Sequence, residues 1–154
     1  MKLFKLLLLS LALPLSSFSK TAYYGKRDMI KQSEIIAIVN VSKVEPTATK
    51  RAGWTYHEVA TVKVEKVLKG KLSETAALYG GENFICAQVH YKPGRQIVFL
   101  RHDKDLLTGV NWHLGVHPIT GEKTEWFIDD RQLELKPTPV SEVLDEIARI
   151  VHEK

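Results

Sequence analysis

The chain has 154 residues, of which 44% are hydrophobic and 26% charged, as is typical of one soluble globular domain. A chain of this length buries a sufficient core without metal ions, and its single cysteine, Cys86, excludes a disulfide within the chain. The formal net charge is +4, from 22 basic and 18 acidic residues. Without the two lysines of the leader described next, 20 basic residues face 18 acidic ones, so the net charge is +2. We therefore expect no nucleic-acid partner in vivo, because such a partner requires a concentrated basic surface.

The first residues predict a secretory signal peptide rather than part of the core. Two lysines precede an apolar run from Leu6 to Leu15, and Ser17 and Ser19 follow at the spacing that signal peptidase recognises. We expect cleavage near Ser19, so that residues 1–19 are the signal peptide and residues 20–154 form one exported domain, periplasmic or secreted. The apolar run is too short for an ordinary spanning helix, and we expect no transmembrane helix in the mature form. An uncleaved membrane anchor is the alternative.

The first elements after the leader are a helical turn and a strand. Asp28–Ser33 predicts a short helical turn that Asp28 caps. The Ile- and Val-rich segment Glu34–Val44 predicts a strand, continuously apolar at its start as if both faces were covered, and Pro46 is expected to end it. Thr47–Trp54 predicts a loop.

The segment His57–Leu72 has the clearest strand pattern in the chain. Ala60, Val62 and Val64 alternate with polar residues, as on a half-buried strand. The alternation then shifts, because the next apolar residues follow Val64 at three and four positions. A β-bulge or a single helical turn explains the shift, and either would bend the sheet before the turn at Gly70.

The middle of the chain predicts further strands and one loop. Glu74–Asn83 predicts a strand, and Asn83–Gly94 a short apolar segment and a loop. Arg95–Asp103 predicts a buried strand. Val110–Ile119 and Thr120–Ile128 predict the two strands of a hairpin.

The C-terminal segment predicts an amphipathic helix that packs on the sheet. Thr138 is the expected cap, and Pro139 suits the first helical position. The apolar residues at helical spacing are Val140, Val143, Leu144, Ile147, Ile150 and Val151. Several short strands and bends predict a mainly β fold, namely a small OB-like β-barrel with a short N-terminal helical turn and a C-terminal helix.

Four pieces of the sequence resemble a known family when taken in order: SEIIAIVNVSKVE, YHEVATVKVEKVLKG, the lone cysteine and YKPGRQIVFL. The region from Asp28 to Ile128 resembles bacterial exported proteins related to the tissue inhibitors of metalloproteinases, which share the OB-like barrel of the netrin-type module. The resemblance implies a five-stranded barrel with helices beside it. It does not imply metalloprotease inhibition, because those inhibitors chelate the protease zinc through an N-terminal cysteine and the expected mature chain begins KTAYYG. The disulfide pattern of the family is also missing.

No catalytic or metal-binding motif stands out, and we expect no enzymatic activity, cofactor or metal. On a strand, His113 and His117 would lie roughly 13 Å apart, too far to bind one ion without help. His102, Asp103 and Asp105 are favoured as a solvated loop, since no nucleophile is specified near them.

Cys86 is predicted to be a small buried hydrophobic residue rather than a nucleophile, because no base can be assigned to it by spacing. An intermolecular disulfide in an oxidising compartment is a third option.

Two aromatic residues beside two basic ones form the candidate ligand site. Trp54 and Tyr56 follow Lys50 and Arg51, and OB-folds stack bases or sugars on such rims. For Trp54 itself, a core or edge role is favoured over a ligand platform. We expect a non-enzymatic exported module that binds another protein or an envelope component, and the alternative is a carbohydrate- or oligonucleotide-type ligand binder that uses this rim.

Overall fold

The computed structural model describes residues 23–51 and 53–153, so the predicted signal peptide lies outside the described residues. Over these residues the chain forms eight β-strands, two α-helices and one 3-10 helix. The elements in chain order are α1 Lys26–Gln32, β1 Ile35–Arg51, β2 Trp54–Lys69, β3 Thr75–Glu82, β4 Gly94–Asp103, β5 Leu106–Gly109, the 3-10 helix Trp112–Gly115, β6 Val116–Thr120, β7 Lys123–Phe127, β8 Leu135–Pro139 and α2 Val140–His152.

The strands form one sheet that partly closes on itself. Its order is β1-β2-β3-β5-β4-β6-β7-β8, and β1 also pairs with β4, so the first five strands are neighbours in a ring. The pairing within the ring is antiparallel except between β3 and β5, which are parallel at Leu78↔Leu107 and Tyr79↔Thr108. Strands β6, β7 and β8 extend from β4 as an antiparallel meander. The predicted mainly β fold is confirmed at this level.

The irregularity predicted in the second strand is present as shifts in register. Val64 pairs with Val39, but Val67 pairs with Ala37, so two residues of β1 face three of β2 across this step. A second shift follows between Ala37 and Ile36. Each shift bends the strand pair, as a bulge does, and lets β1 pair with both β2 and β4.

The prediction that Pro46 ends the first strand is wrong, because β1 continues to Arg51. Beyond Val41, β1 pairs with β2 alone, and the register shifts directly after Pro46. A proline is tolerated at such a place because its missing N–H has no partner to satisfy. The expected loop Thr47–Trp54 is therefore largely strand.

Three other local predictions also need correction. The first half of Val110–Ile119 is a 3-10 helix rather than a strand: Asn111 and Trp112 have φ of 67° and 55°, and a Cβ at Gly115 would overlap the Val110 carbonyl oxygen. Helix α1 begins at Lys26 after Gly25, so Asp28 lies in its first turn and does not cap it. Thr138 belongs to β8 and donates to the Lys136 carbonyl, so it does not cap α2.

Two apolar cores lie on opposite faces of β1 and β4. Ile36, Ile38, Ile97 and Phe99 face the helices, where they pack with α1, α2 and β7. The alternating residues of the same strands face the inside of the ring, and both strands are therefore continuously apolar in sequence. The ring core contains Ala37, Val39, Val41, Ala60, Val62, Leu78, Val89, Val98 and Leu100. The predicted packing of the C-terminal helix on the sheet is confirmed, since α2 buries Val143, Ile147 and Ile150.

Candidate functional site

Three aromatic rings from distant parts of the chain meet at one end of the molecule. Trp54 begins β2, Phe84 follows β3, and Trp112 begins the 3-10 helix. Ring centroids are 6.0 Å apart for Trp54 and Phe84, 5.6 Å for Trp54 and Trp112, and 5.7 Å for Phe84 and Trp112. All three rings are half-buried. We call these residues, together with Ile85, the aromatic tip.

Two hydrogen bonds of Asn83 hold Trp54 and Phe84 of the aromatic tip together. Asn83 N donates to the Thr55 carbonyl at 3.0 Å, and Thr55 N donates to Asn83 Oδ1 at 2.9 Å. These two bonds join the start of β2 to the end of β3 and so bring Phe84 against Trp54. The backbone of Trp112 has a φ of 55°, which a bulky residue adopts only in a tightly constrained turn.

The loop that follows Phe84 carries an apolar side chain into solvent. Ile85 is 98% exposed, and its neighbour Cys86 is exposed as well. The prediction that Cys86 is buried is therefore wrong, because the chain turns outward here and buries Ala87 and Val89 instead.

Two carboxylates, the buried Glu82 and the partly buried Glu58, anchor that loop to the sheet, and no sequence pattern indicated either of them. Glu82 Oε2 accepts from Val89 N at 2.8 Å, and Glu58 Oε1 accepts from Tyr91 N at 2.8 Å. Burial raises the pKa of Glu82, although the hydrogen bond from Val89 opposes this. A pair of glycines before Glu82 makes the approach feasible, since a Cβ at Gly80 would overlap the Val89 carbonyl oxygen.

An open, basic groove adjoins the aromatic tip at Trp54. It has a volume of about 550 Å³ and is lined by Lys50, Arg51, Gly53, Trp54, Thr55 and Lys104. Asp105 holds Arg51 through two bonds, Nε–Oδ1 at 2.7 Å and Nη2–Oδ2 at 3.0 Å. These bonds lower the pKa of Asp105 to about 2. Within the described part of the chain, Lys50 and Lys104 form no ion pair.

Tyr56 does not belong to this surface. Only 1% of its surface is exposed, and its hydroxyl donates to Asp103 Oδ2 at 2.7 Å. Burial, followed by the hydrogen bond to Asp103, raises the pKa of Tyr56. Three of the four predicted site residues, Lys50, Arg51 and Trp54, line one groove, whereas the fourth, Tyr56, is buried beside Asp103. Strand alternation does not separate Trp54 from Tyr56, because residues two positions apart lie on the same face.

The histidines and carboxylates considered for catalysis or metal binding do not converge. His102 Nδ1 lies 2.6 Å from Glu34 Oε2, whereas Asp103 and Asp105 pair with Tyr56 and Arg51. His117 is buried, while His113 packs against Tyr23. Over residues 23–51 and 53–153, no three His, Cys, Asp or Glu side chains come together as a metal ion would require.

Comparison of the chain with protein-family models found no match, and comparison with curated proteins found none either. Among the described helices, none is both long enough and apolar enough to cross a membrane. The functional conclusion therefore depends on the geometry of the aromatic tip and the groove beside it.

Proposed function

We propose that the protein is an exported, non-enzymatic binding module and that the aromatic tip is the surface by which it contacts another protein or an envelope component. The observation that carries the proposal has two parts. Three half-buried rings contact one another, and the residue that follows one of them in the chain, Ile85, is 98% exposed. A single exposed isoleucine needs no explanation, but one that directly follows a cluster of partly exposed aromatic rings adds to an apolar surface of the kind that contacts partners.

The composition of the aromatic tip matches that of energetically important contact surfaces. Trp residues dominate such surfaces, because a large rigid ring buries much apolar area at little cost in conformational entropy. Trp54 and Trp112 are already held by neighbours, so binding would order few additional side chains. Cations at the rim of the groove would then favour a partner with negative charge.

We extend the proposal to the fold and its relatives. The ring of five strands is an OB-like barrel of the netrin type, and the family resemblance of residues 28–128 is genuine. The cyclic pairing β1-β2-β3-β5-β4-β1 and the parallel β3–β5 contact support this proposal. Metalloprotease inhibition is not part of it, since the expected mature chain has no N-terminal cysteine.

Site-directed photo-crosslinking in the producing cell tests the proposal. A photoreactive residue at position 85 should give one defined adduct, whereas the same residue at position 128 should not. Ile128 is the matched control because it is also an exposed isoleucine, 43% exposed, and it lies between β7 and β8. An excess of unlabelled protein should compete for the adduct, and an excess of the Trp54→Ala variant should not. Equal adducts at both positions, or none at position 85, would contradict the proposal.

The groove supports a second candidate function, the binding of a carbohydrate- or oligonucleotide-type ligand. One indole ring beside Lys50, Arg51 and Lys104 offers a stacking face with cations around it. Titration with glycans or oligonucleotides should then change tryptophan fluorescence, and the change should vanish in Trp54→Ala. A flat titration in the intact protein removes this candidate.

A further inference from the structure

We infer that the aromatic tip docks on an anionic phospholipid bilayer, with Ile85 entering the apolar layer and Lys50 and Lys104 at the level of the headgroups. This inference rests on the proposed function, because it names the envelope component that the aromatic tip contacts.

The position of Ile85 favours a bilayer over a preformed pocket. With 98% of its surface exposed, Ile85 projects from a loop and touches almost nothing of its own chain. Entry of an isoleucine side chain into an apolar phase strengthens partition about tenfold to a hundredfold. A bilayer offers that phase to any projecting side chain, without the shape-matched cavity that a folded partner must provide.

The groups of the aromatic tip are of the kinds found at a bilayer surface. Phe84 precedes Ile85 in the chain and contacts Trp54 and Trp112, each of which carries an apolar body with one polar N–H. Such indole rings concentrate at membrane–water interfaces. Lys50 and Lys104 line the same groove as Trp54, so basic side chains lie beside the rings.

The basic side chains of the groove outnumber the acidic side chains beside it. Arg51 pairs with Asp105, and Lys50 and Lys104 pair with no other described residue. Asp103 keeps its negative charge while it accepts from Tyr56, so three cations face two anions and the excess is one positive charge. Each basic side chain near an anionic leaflet strengthens binding about fivefold. The free lysines therefore complement anionic headgroups, and salt should weaken their contribution.

The described chain also begins beside the aromatic tip. The ring of Tyr23 contacts that of His113 at 5.5 Å, next to Trp112. Tyr24 N also donates to Asn111 Oδ1 at 2.7 Å, so the start of the described chain is held against the turn that carries Trp112.

Vesicle binding of the chain from Lys20 onward tests the inference. We expect cosedimentation with vesicles of equal parts phosphatidylcholine and phosphatidylglycerol, weaker binding to phosphatidylcholine alone, and a blue shift of tryptophan emission on binding. Ile85→Asp should reduce the partition coefficient at least about tenfold. The double variant Lys50→Glu and Lys104→Glu should reduce it by a similar factor at low salt and by less at high salt.

Two matched variants control for general effects of added negative charge. Ile128→Asp changes an exposed isoleucine of the β7–β8 hairpin, and Lys63→Glu changes an exposed lysine of β2 outside the groove. Both should bind vesicles like the unaltered protein. Binding that Ile85→Asp leaves unchanged, or equal binding to both kinds of vesicle, would overturn the inference.

The outcomes separate this inference from the proposed function. If vesicles do not bind but position 85 still gives a protein adduct in the cell, the partner is a protein and only the bilayer inference fails. If position 85 gives no cellular adduct, the proposed function fails, and the bilayer inference that rests on it fails with it.

Discussion

At the scale of single residues, one buried histidine makes the fold sensitive to acid. His117 Nδ1 donates to the Glu125 carbonyl at 2.7 Å, while Nε2 has no partner among the described residues. Its ring lies 5.6 Å from that of Phe99 and 4.9 Å from that of Trp126. Burial lowers the pKa of His117 from 6.5 to about 4, so the ring is neutral at physiological pH.

The free energy of unfolding should therefore fall as the pH is lowered from 6.5 to about 4. In this window the unfolded chain has protonated His117 and the folded chain has not, so the unfolded state binds more protons and gains stability. Above the window both states are neutral, and below it both are charged. The difference in pKa corresponds to a loss of about 3 kcal/mol, which urea unfolding at a series of pH values measures.

Substitution separates this contribution from those of other groups. His117→Gln removes the titrating ring, so its unfolding free energy should depend less on pH across the window, whatever its absolute stability. His57→Gln, at an exposed position of β2, should keep the full dependence. An unchanged slope in His117→Gln would show that another group is responsible.

At the scale of elements, one carboxylate joins the two helices to the sheet. Glu146 of α2 lies 2.7 Å from Lys26 Nζ of α1 and accepts from Trp126 Nε1 of β7 at 2.7 Å. Burial opposes the charge of Glu146, but the hydrogen bonds from Lys26 and Trp126 outweigh it and lower its pKa. Loss of this carboxylate would leave a buried ammonium group and a buried indole N–H without their partner.

Glu146→Ala should accordingly destabilise the protein by about 3 kcal/mol, because an unpaired buried charge costs more than the pair contributes. The double variant Lys26→Met and Glu146→Leu removes both charges and should recover much of that loss. Asp145→Ala, one position away and exposed, should change stability by less than about 0.5 kcal/mol. Thermal and urea unfolding of these variants measure the differences, and a double variant as unstable as Glu146→Ala would contradict this account.

The last strand illustrates what sequence patterns miss at this scale. Ile128 N donates to the Glu134 carbonyl and Val140 N to the Glu122 carbonyl, so even-numbered residues of this segment bond to the β7 side. The nitrogens of Pro137 and Pro139 therefore face the free edge, where no donor is needed and further strands cannot add. These prolines make β8 hard to recognise as a strand in the sequence. The same prolines prevent a further strand from pairing with its free edge.

At the scale of the whole molecule, periodicity predicted the elements that cross the cores. The apolar runs of β1 and β4, the irregular β2 and the amphipathic α2 each carry their burial pattern in consecutive residues. The short strand β5 and the 3-10 helix lack such a pattern. They depend on backbone constraints, such as the contact of Gly115 with the Val110 carbonyl, that composition does not reveal.

The candidate site was only half predictable for a related reason. Lys50, Arg51 and Trp54 are neighbours in sequence, so their cluster was visible before the fold was known. Phe84 and Trp112 join Trp54 only through the pairing of β2 with β3 and the turn before β6, over 30 and 58 positions of chain. A period-two pattern assigns a residue to a face of its own strand, but it does not say which distant ring will meet it.

The molecule has two cores and one exposed thiol, so its stability should not depend on the redox compartment. Both cores are apolar, they share β1 and β4, and no described contact needs an oxidised cysteine. Residues 20–154 produced without the leader should therefore have the same Tm as protein recovered from the envelope, with or without reductant. If the leader is cleaved after Ser19, as the sequence predicts, N-terminal sequencing of the recovered protein should read Lys20, Thr21, Ala22. A Tm that falls with reductant in the envelope-derived protein alone would instead reveal a stabilising disulfide between chains through Cys86, the one position from which such a bridge can form.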